Sequence, residues 1–221
     1  MSLAIGISLL LVAYNNTINL WRPFHSWAYV PCNLALTLVL VAVAPRPAPI
    51  GDATDALLGA AVVLPVAIAL LLISRSQWRM KIVDERVAGL SGGALAYHTL
   101  LRIPVGTGVT EEIAFRGVLF DAWLVAGLST SSATLAASVA FGLWHVAPTL
   151  VGLKMNDPET TRQKAWLAVA GAVVATTVVG LAFTWLRLRT DSLLAPIVVH
   201  AGVNSVAAFA SAKAAQGRPA L

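Results

Sequence analysis

The chain has 221 residues, of which 58% are hydrophobic and 11% are charged, and its mean hydropathy is +0.79. Soluble globular domains contain about 25% charged residues, so this composition excludes an ordinary soluble fold, a disordered chain and collagen. The net charge of +5 would indicate a polyanionic partner in a soluble protein. In so apolar a chain it indicates basic cytoplasmic loops of a membrane protein, and nucleic acid is not an expected partner. The single cysteine, Cys32, can form no intramolecular disulfide.

Long apolar segments recur along the whole chain. A membrane-spanning helix needs about 20 mostly apolar residues. Segments close to this length are 3–20, 28–44, 53–73, 105–126, 131–151, 165–186 and 192–212. The first matches least well, because Asn15, Asn16 and Asn19 crowd its end. We therefore predict an all-α, polytopic membrane bundle of about seven transmembrane helices.

The segment 75–102 differs from its neighbours because it is rich in charge. Apolar residues such as Ile82, Val83, Val87 and Leu90 recur within it at helical spacing, which predicts an amphipathic helix lying at the membrane interface. The chain then divides into N-terminal membrane helices (1–74), an amphipathic cytoplasmic-face segment (75–104), a four-helix membrane core (105–212) and a cytoplasmic tail (213–221).

The distribution of basic residues predicts the orientation. Placing the amphipathic segment in the cytoplasm puts most of the 15 Lys and Arg residues on that side, including Arg22 and Arg218. Among the loop residues, the opposite side then holds Arg46, Arg187 and Arg189. By the positive-inside rule, we expect a multi-pass protein of the cell membrane with a cytoplasmic C-terminus.

Ionisable side chains within three of the predicted spans are the most informative feature of the chain. Such groups are expensive in lipid and are functional candidates by default. They are Glu111, Glu112, Arg116 and Asp121 in the fourth span, His145 in the fifth and His200 in the seventh, where Asn204 follows one turn later.

The two adjacent glutamates have different surroundings on their own helix. Glu112 and Arg116 are four residues apart, so they share a helix face and are expected to form a supporting ion pair. Glu111 lies about 100° away around the helix and has Phe115, not a base, four residues on. Glu111 is therefore a candidate general base or metal ligand. We expect Asp121 to be a solvated or hydrogen-bonded acid near the helix end.

The two histidines each have a neighbour one helical turn away. The ring of Phe141 can lie against the imidazole of His145 and fix its rotamer, while His200 and Asn204 can point into one space. Taken alone, His145 is equally explained by helix packing.

Three motifs in this order resemble a known family. The sequences EEIAFR at 111–116, FGLWH at 141–145 and HAGVN at 200–204 match the Glu-Glu-x-x-x-Arg, Phe-x-x-x-His and His-x-x-x-Asn motifs of the CPBP family, the CAAX-protease and bacteriocin-processing (Abi) intramembrane endopeptidases. The resemblance covers about 101–212. It implies that the membrane core is catalytic and that the site opens toward the cytoplasm.

The resemblance also implies roles for individual residues. In this family the first glutamate activates water, the first histidine orients it, and the second histidine and the asparagine stabilise the oxyanion. Carried over, the catalytic residues are Glu111, His145, His200 and Asn204, and the supporting residues are Glu112, Arg116 and Phe141. The implied partners are the lipid bilayer and membrane-embedded or membrane-associated peptide or protein substrates, some of them lipid-modified.

The cofactor is left open by the residues themselves. Glu111, His145, His200 and Asn204 supply a base and donors for amide hydrolysis without a metal. The first three are equally the ligand set of a catalytic zinc, as in a metalloendopeptidase. We favour the metal-free form, because an amide such as that of Asn204 is a good hydrogen-bond donor but a poor zinc ligand. A proton-coupled transporter or a non-catalytic membrane scaffold would use the same cluster differently.

Overall fold

The computed structural model describes residues 1–20 and 28–217, and this part of the chain contains helices and turns but no strand. Arg22 and Arg218, which entered the orientation argument, lie outside the described residues. The α-helices are α1 Ser2–Leu20, α2 Tyr29–Ala42, α3 Ala53–Ser74, α4 Glu85–Ala88, α5 Gly92–Tyr97, α6 Thr110–Glu112, α7 Phe120–Val125, α8 Thr130–Trp144, α9 Val146–Asn156, α10 Arg162–Thr190 and α11 Leu194–Gln216. The all-α prediction is confirmed.

The helices α5, α6 and α7 belong to one helical run, residues 92–125, which we call the motif helix. Between them lie π-helical segments at His98–Arg102, Pro104–Val109 and Ile113–Leu119. Pro104 has no backbone N–H and so interrupts the regular hydrogen-bond ladder. π-Helical turns are rare and frequently accompany functional sites.

The lengths and surfaces of the helices are those of a membrane protein. Among the described residues, five helical segments are long and apolar enough to cross a bilayer: Ser2–Leu20, Ala53–Ser74, Thr130–Asn156, Arg162–Thr190 and Leu194–Gln216. The apolar helix Tyr29–Ala42 is shorter. Large apolar side chains on α3 and α10, including Leu57, Leu64, Leu167 and Val174, are exposed, as lipid-facing residues are. The chain is thus a polytopic membrane bundle.

Two of the predicted segments take a different form. The segment 75–102 contains a 3₁₀ turn at Arg79–Ile82, the short α4 and the start of the motif helix, instead of one amphipathic helix. Asp84 caps α4 by accepting from the N–H of Arg86, and Gly92 has φ of +48°, which ends the preceding turn. The predicted span 131–151 is interrupted at His145, between α8 and α9.

Packing brings the motif helix into the centre of the bundle. A buried apolar cluster joins it to α1, α2 and α8, and includes Leu11, Leu36, Phe115, Phe120 and Phe141. On another side it lies close to α11, since a Cβ added to Gly108 would stand 2.9 Å from the Cβ of Ala201. This close approach, which glycine permits, places the glutamates of one helix beside the histidine of the other.

Candidate active site

The supporting ion pair expected on the motif helix is present and fully buried. Arg116 Nη1 donates to Glu112 Oε1 at 3.1 Å, and the two side chains are 1% and 0% exposed. The Arg116 guanidinium also lies over the ring of Phe141, with its Cζ 4.0 Å from the ring centroid. The pair is therefore enclosed by protein, where an unpaired charge would be strongly destabilising.

His200 lies between the two glutamates. Its Nδ1 is 2.7 Å from Glu112 Oε1, and its Nε2 is 3.7 Å from Glu111 Oε2. An ionised carboxylate only accepts hydrogen bonds, so Nδ1 donates to Glu112 and Nε2 faces Glu111. Both carboxylates come from the motif helix.

The two carboxylate oxygens of Glu111 differ in their hydrogen bonding. Oε1 accepts a hydrogen bond of 3.1 Å from the indole Nε1 of Trp144. Oε2 has no hydrogen-bond partner among the described residues, although the whole side chain is only 3% exposed. One oxygen is thus held by a hydrogen bond, and the other is buried without a hydrogen-bond partner among the described residues.

His145 occupies the break between α8 and α9. Its Nδ1 is 2.8 Å from the carbonyl oxygen of Phe141, and its ring meets that of Phe141 edge to face at 4.7 Å between centroids. Because a carbonyl only accepts, Nδ1 carries a proton. Nε2 is then the nitrogen left to contact substrate or water.

Two asparagines of α1 bind the backbone at this break. In an unbroken helix Ala147 N–H would donate to the carbonyl of Leu143. Here the side chain of Asn16 bridges the two groups: its Nδ2 donates to Leu143 O at 3.0 Å, and its Oδ1 accepts from Ala147 N at 2.6 Å. Asn15 Nδ2 adds a bond of 2.7 Å to Trp144 O. A helix outside the motifs therefore stabilises the backbone that carries His145.

A cavity of about 810 Å³ adjoins this cluster. Glu111, Trp144, His145 and Asn204 are among the residues that line it, and Asn204 is exposed. His200 is buried behind Glu111 and is absent from the cavity wall. Glu111, His145 and Asn204 therefore border one cavity, whereas His200 packs against the glutamates outside its wall.

The residues do not form the zinc site that the sequence left open. A catalytic zinc needs three converging protein ligands. No group of three or more His, Cys, Asp or Glu side chains within residues 1–20 and 28–217 is arranged to hold a metal. The nitrogens of His200 face the two glutamates, and Nδ1 of His145 faces a carbonyl. A metalloendopeptidase mechanism therefore has no support in this arrangement.

Of the two roles expected for Asp121, a solvated or a hydrogen-bonded acid near the helix end, the structure shows the second. It is buried and accepts two hydrogen bonds from Nη2 of Arg187, at 3.1 and 3.3 Å. Sequence reasoning assigned Arg187 to a loop, because nothing local connects it with Asp121. Trp144 and Asn16 were missed as well, although asparagines within an apolar span were a visible signal of a buried hydrogen-bonding role.

The comparison with family models supports the same assignment. The model described as type II CAAX prenyl endopeptidase Rce1-like matches residues 93–206, a stretch that contains all but the first residue of the motif helix, together with His145, His200 and Asn204. No curated protein and no solved structure matches the chain. The matched stretch is just over half of the 221 residues and includes every motif residue at this site, so the chain belongs to the Rce1-like family of type II CAAX prenyl endopeptidases.

Proposed function

We propose that this protein is an intramembrane endopeptidase that hydrolyses peptide bonds of membrane-associated or lipid-modified substrates. The observation that carries the proposal is the state of Glu111. Its carboxylate is oriented by Trp144 through one oxygen, has no hydrogen-bond partner for the other among the described residues, and borders a cavity that holds His145 and Asn204. A buried carboxylate next to a polar cavity is suited to remove a proton from water.

The reaction follows from these positions. Glu111 accepts a proton from a water molecule whose second hydrogen bond goes to Nε2 of His145, and the water oxygen attacks the carbonyl carbon of the substrate. The amide of Asn204 donates to the oxyanion that develops. Glu111 then returns the proton to the leaving nitrogen as the C–N bond breaks, which leaves an acid and an amine.

His200 lies behind Glu111, outside the cavity wall, and has a positioning role. Since it bonds Glu112 and faces Glu111, it fixes the separation of the two carboxylates. It reaches the oxyanion only if substrate binding turns the ring toward the cavity. Glu112 and Arg116 hold His200 and need not touch substrate.

The family name suggests the first substrates to test. Its description, a CAAX prenyl endopeptidase, makes prenylated C-terminal peptides one class, and unmodified membrane peptides are the other. The basic end of the bundle at 75–91 is proposed to lie in the cytoplasm, with the cavity opening toward that side.

A cleavage assay tests the proposal. Purified protein in liposomes is incubated with prenylated and unprenylated peptides, and products are identified by mass spectrometry. Removing a general base lowers rates by about 10²- to 10⁴-fold, so we expect Glu111→Gln to lose cleavage in that range while its thermal unfolding remains normal. Glu159→Gln is the matched control, because Glu159 is exposed in a loop.

Two results would reject the proposal. Wild-type cleavage by Glu111→Gln would remove Glu111 as the base. Proton flux across the liposomes without cleavage of any peptide would favour a transporter that uses the same buried charges. Activity that survives exhaustive chelation is the expected result for direct action of Glu111 on water.

A further inference from the structure

The three motifs supply the cavity with one side-chain amide donor for an oxyanion, Asn204. His200 is buried outside the cavity wall, and its two ring nitrogens face Glu112 and Glu111. Sites for acyl transfer hold the developing oxyanion with preorganised donors about 2.7–3.1 Å away, and each donor contributes to the rate. A second donor would have to come from a side chain outside the motifs.

The hydroxyl of Tyr29 meets this requirement. Tyr29 is the first residue of α2 and lines the cavity, and its Oη is 3.3 Å from Oγ1 of Thr107 on the motif helix. Each hydroxyl carries one hydrogen, and the bond between the two uses one of them. Because a phenol is more acidic than an aliphatic alcohol, the favourable arrangement has Thr107 donating to Oη and the phenol hydrogen of Tyr29 left for the cavity.

Contacts with the motif helix hold the ring of Tyr29 in place. A Cβ added to Gly106 would stand 3.1 Å from Cδ1 of the ring, so glycine at this position lets the ring lie against the helix backbone. The guanidinium of Arg102 lies over the ring, with its Cζ 4.1 Å from the centroid, and a cation in this position attracts the ring. The hydroxyl is therefore positioned before substrate binds, as oxyanion stabilisation without reorganisation requires.

Asn204 lies along the same stretch of the motif helix as this hydroxyl. Two contacts of α11 bracket it: one at Gly108, from the turn before Asn204, and one at the carbonyl of Thr99, to which Ser205 Oγ donates at 2.8 Å. Tyr29 contacts the motif helix between the same two points. Because both side chains line the cavity, its wall carries one donor from α2 and one from α11.

We propose that Tyr29 donates a hydrogen bond to the oxyanion of the scissile carbonyl, as the second donor beside Asn204. The inference rests on the proposed function. Thr107 and Glu111 are four residues apart and both line the cavity. Side chains at that spacing have Cβ atoms about 5–6 Å apart, which is room for one water molecule and the carbonyl that it attacks. Tyr29 precedes the matched residues 93–206, so the family match assigns it no role.

Removal of the phenol oxygen tests this assignment in the liposome cleavage assay. Tyr29→Phe keeps the ring but loses the donor, so kcat should fall about 10²- to 10³-fold, as after deletion of one oxyanion donor, with KM little changed. Thr107→Val removes the partner of the hydroxyl but not the donor, and should lower kcat about 2- to 10-fold, the effect of one neutral hydrogen bond. Tyr14→Phe is the matched control: it removes the same atom and its bond of 3.1 Å to Asn33, lies outside the cavity lining, and should retain the wild-type kcat.

Two inhibitors distinguish an oxyanion donor from a packing residue. A phosphinate peptide presents a tetrahedral oxyanion, and the matching reduced-amide peptide has a methylene group in place of the scissile carbonyl. Transition-state analogues share the interactions of the transition state, so Tyr29→Phe should raise the inhibition constant of the phosphinate by about the same factor as kcat falls and leave that of the reduced amide unchanged.

Several results would overturn the role of Tyr29. They are a wild-type kcat in Tyr29→Phe or in Thr107→Val, equal weakening of both inhibitors, and a loss in Tyr14→Phe as large as in Tyr29→Phe. Each would leave the peptidase itself intact. Failure of the wild type to cleave any peptide would instead reject the proposed function.

Discussion

The hydrogen bond from Trp144 to Glu111 offers a sharp test of how the proposed base is positioned. Trp144→Phe removes the indole N–H, which is 3.1 Å from Glu111 Oε1, and keeps an aromatic ring against Phe115, whose centroid is 5.3 Å away. Hydrogen bonds to charged groups contribute ~1.5–3 kcal/mol. If the bond orients Glu111 for attack, kcat/KM should fall about 10- to 150-fold, since about 1.4 kcal/mol corresponds to tenfold.

Trp123 supplies a matched control for this change. Its Nε1 is also buried but has no hydrogen-bond partner among the described residues. Trp123→Phe therefore removes the same atoms without breaking a bond and should leave kcat/KM near the wild-type value. The assay is steady-state cleavage of one peptide in liposomes, with thermal unfolding measured in parallel. Wild-type kcat/KM in Trp144→Phe, or equal losses in both variants, would refute the positioning role.

Two further predictions concern residues outside the motifs. Asn16→Leu leaves two backbone groups at the helix break unpaired, at ~1–3 kcal/mol each, so the thermal stability should fall. The value of kcat should also fall, because His145 loses its fixed position. Ser8→Ala, which removes a bond only within α1, should change neither quantity, and an unchanged kcat in Asn16→Leu would contradict the argument. Asp121→Ala isolates the buried Arg187 and should destabilise the protein by ~3–5 kcal/mol in thermal unfolding. Adding Arg187→Ala should recover part of that loss, and a double variant no more stable than Asp121→Ala would show that the pair is not coupled.

The sequence alone determined the fold class and the order of the active-site helices. Runs of apolar residues with the length of a bilayer permit little besides spanning helices, because lipid offers the backbone no other hydrogen-bond partners. The i, i+4 spacing of Glu112 and Arg116 also fixed their pairing, since that contact is local to one helix turn. The same helix geometry puts Glu111 about 100° away around the helix, so the spacing also predicts that Glu111 does not share the pairing with Arg116.

Tertiary structure decided which groups each of these side chains meets. Trp144 reaches Glu111 across 33 positions of the chain, and Asn16 meets the break at His145 across more than 120. Such contacts depend on helix packing and leave no periodic signal in the sequence. Local spacing thus identified the candidate site residues, while the packing of α1, α8 and α11 around the motif helix set their geometry.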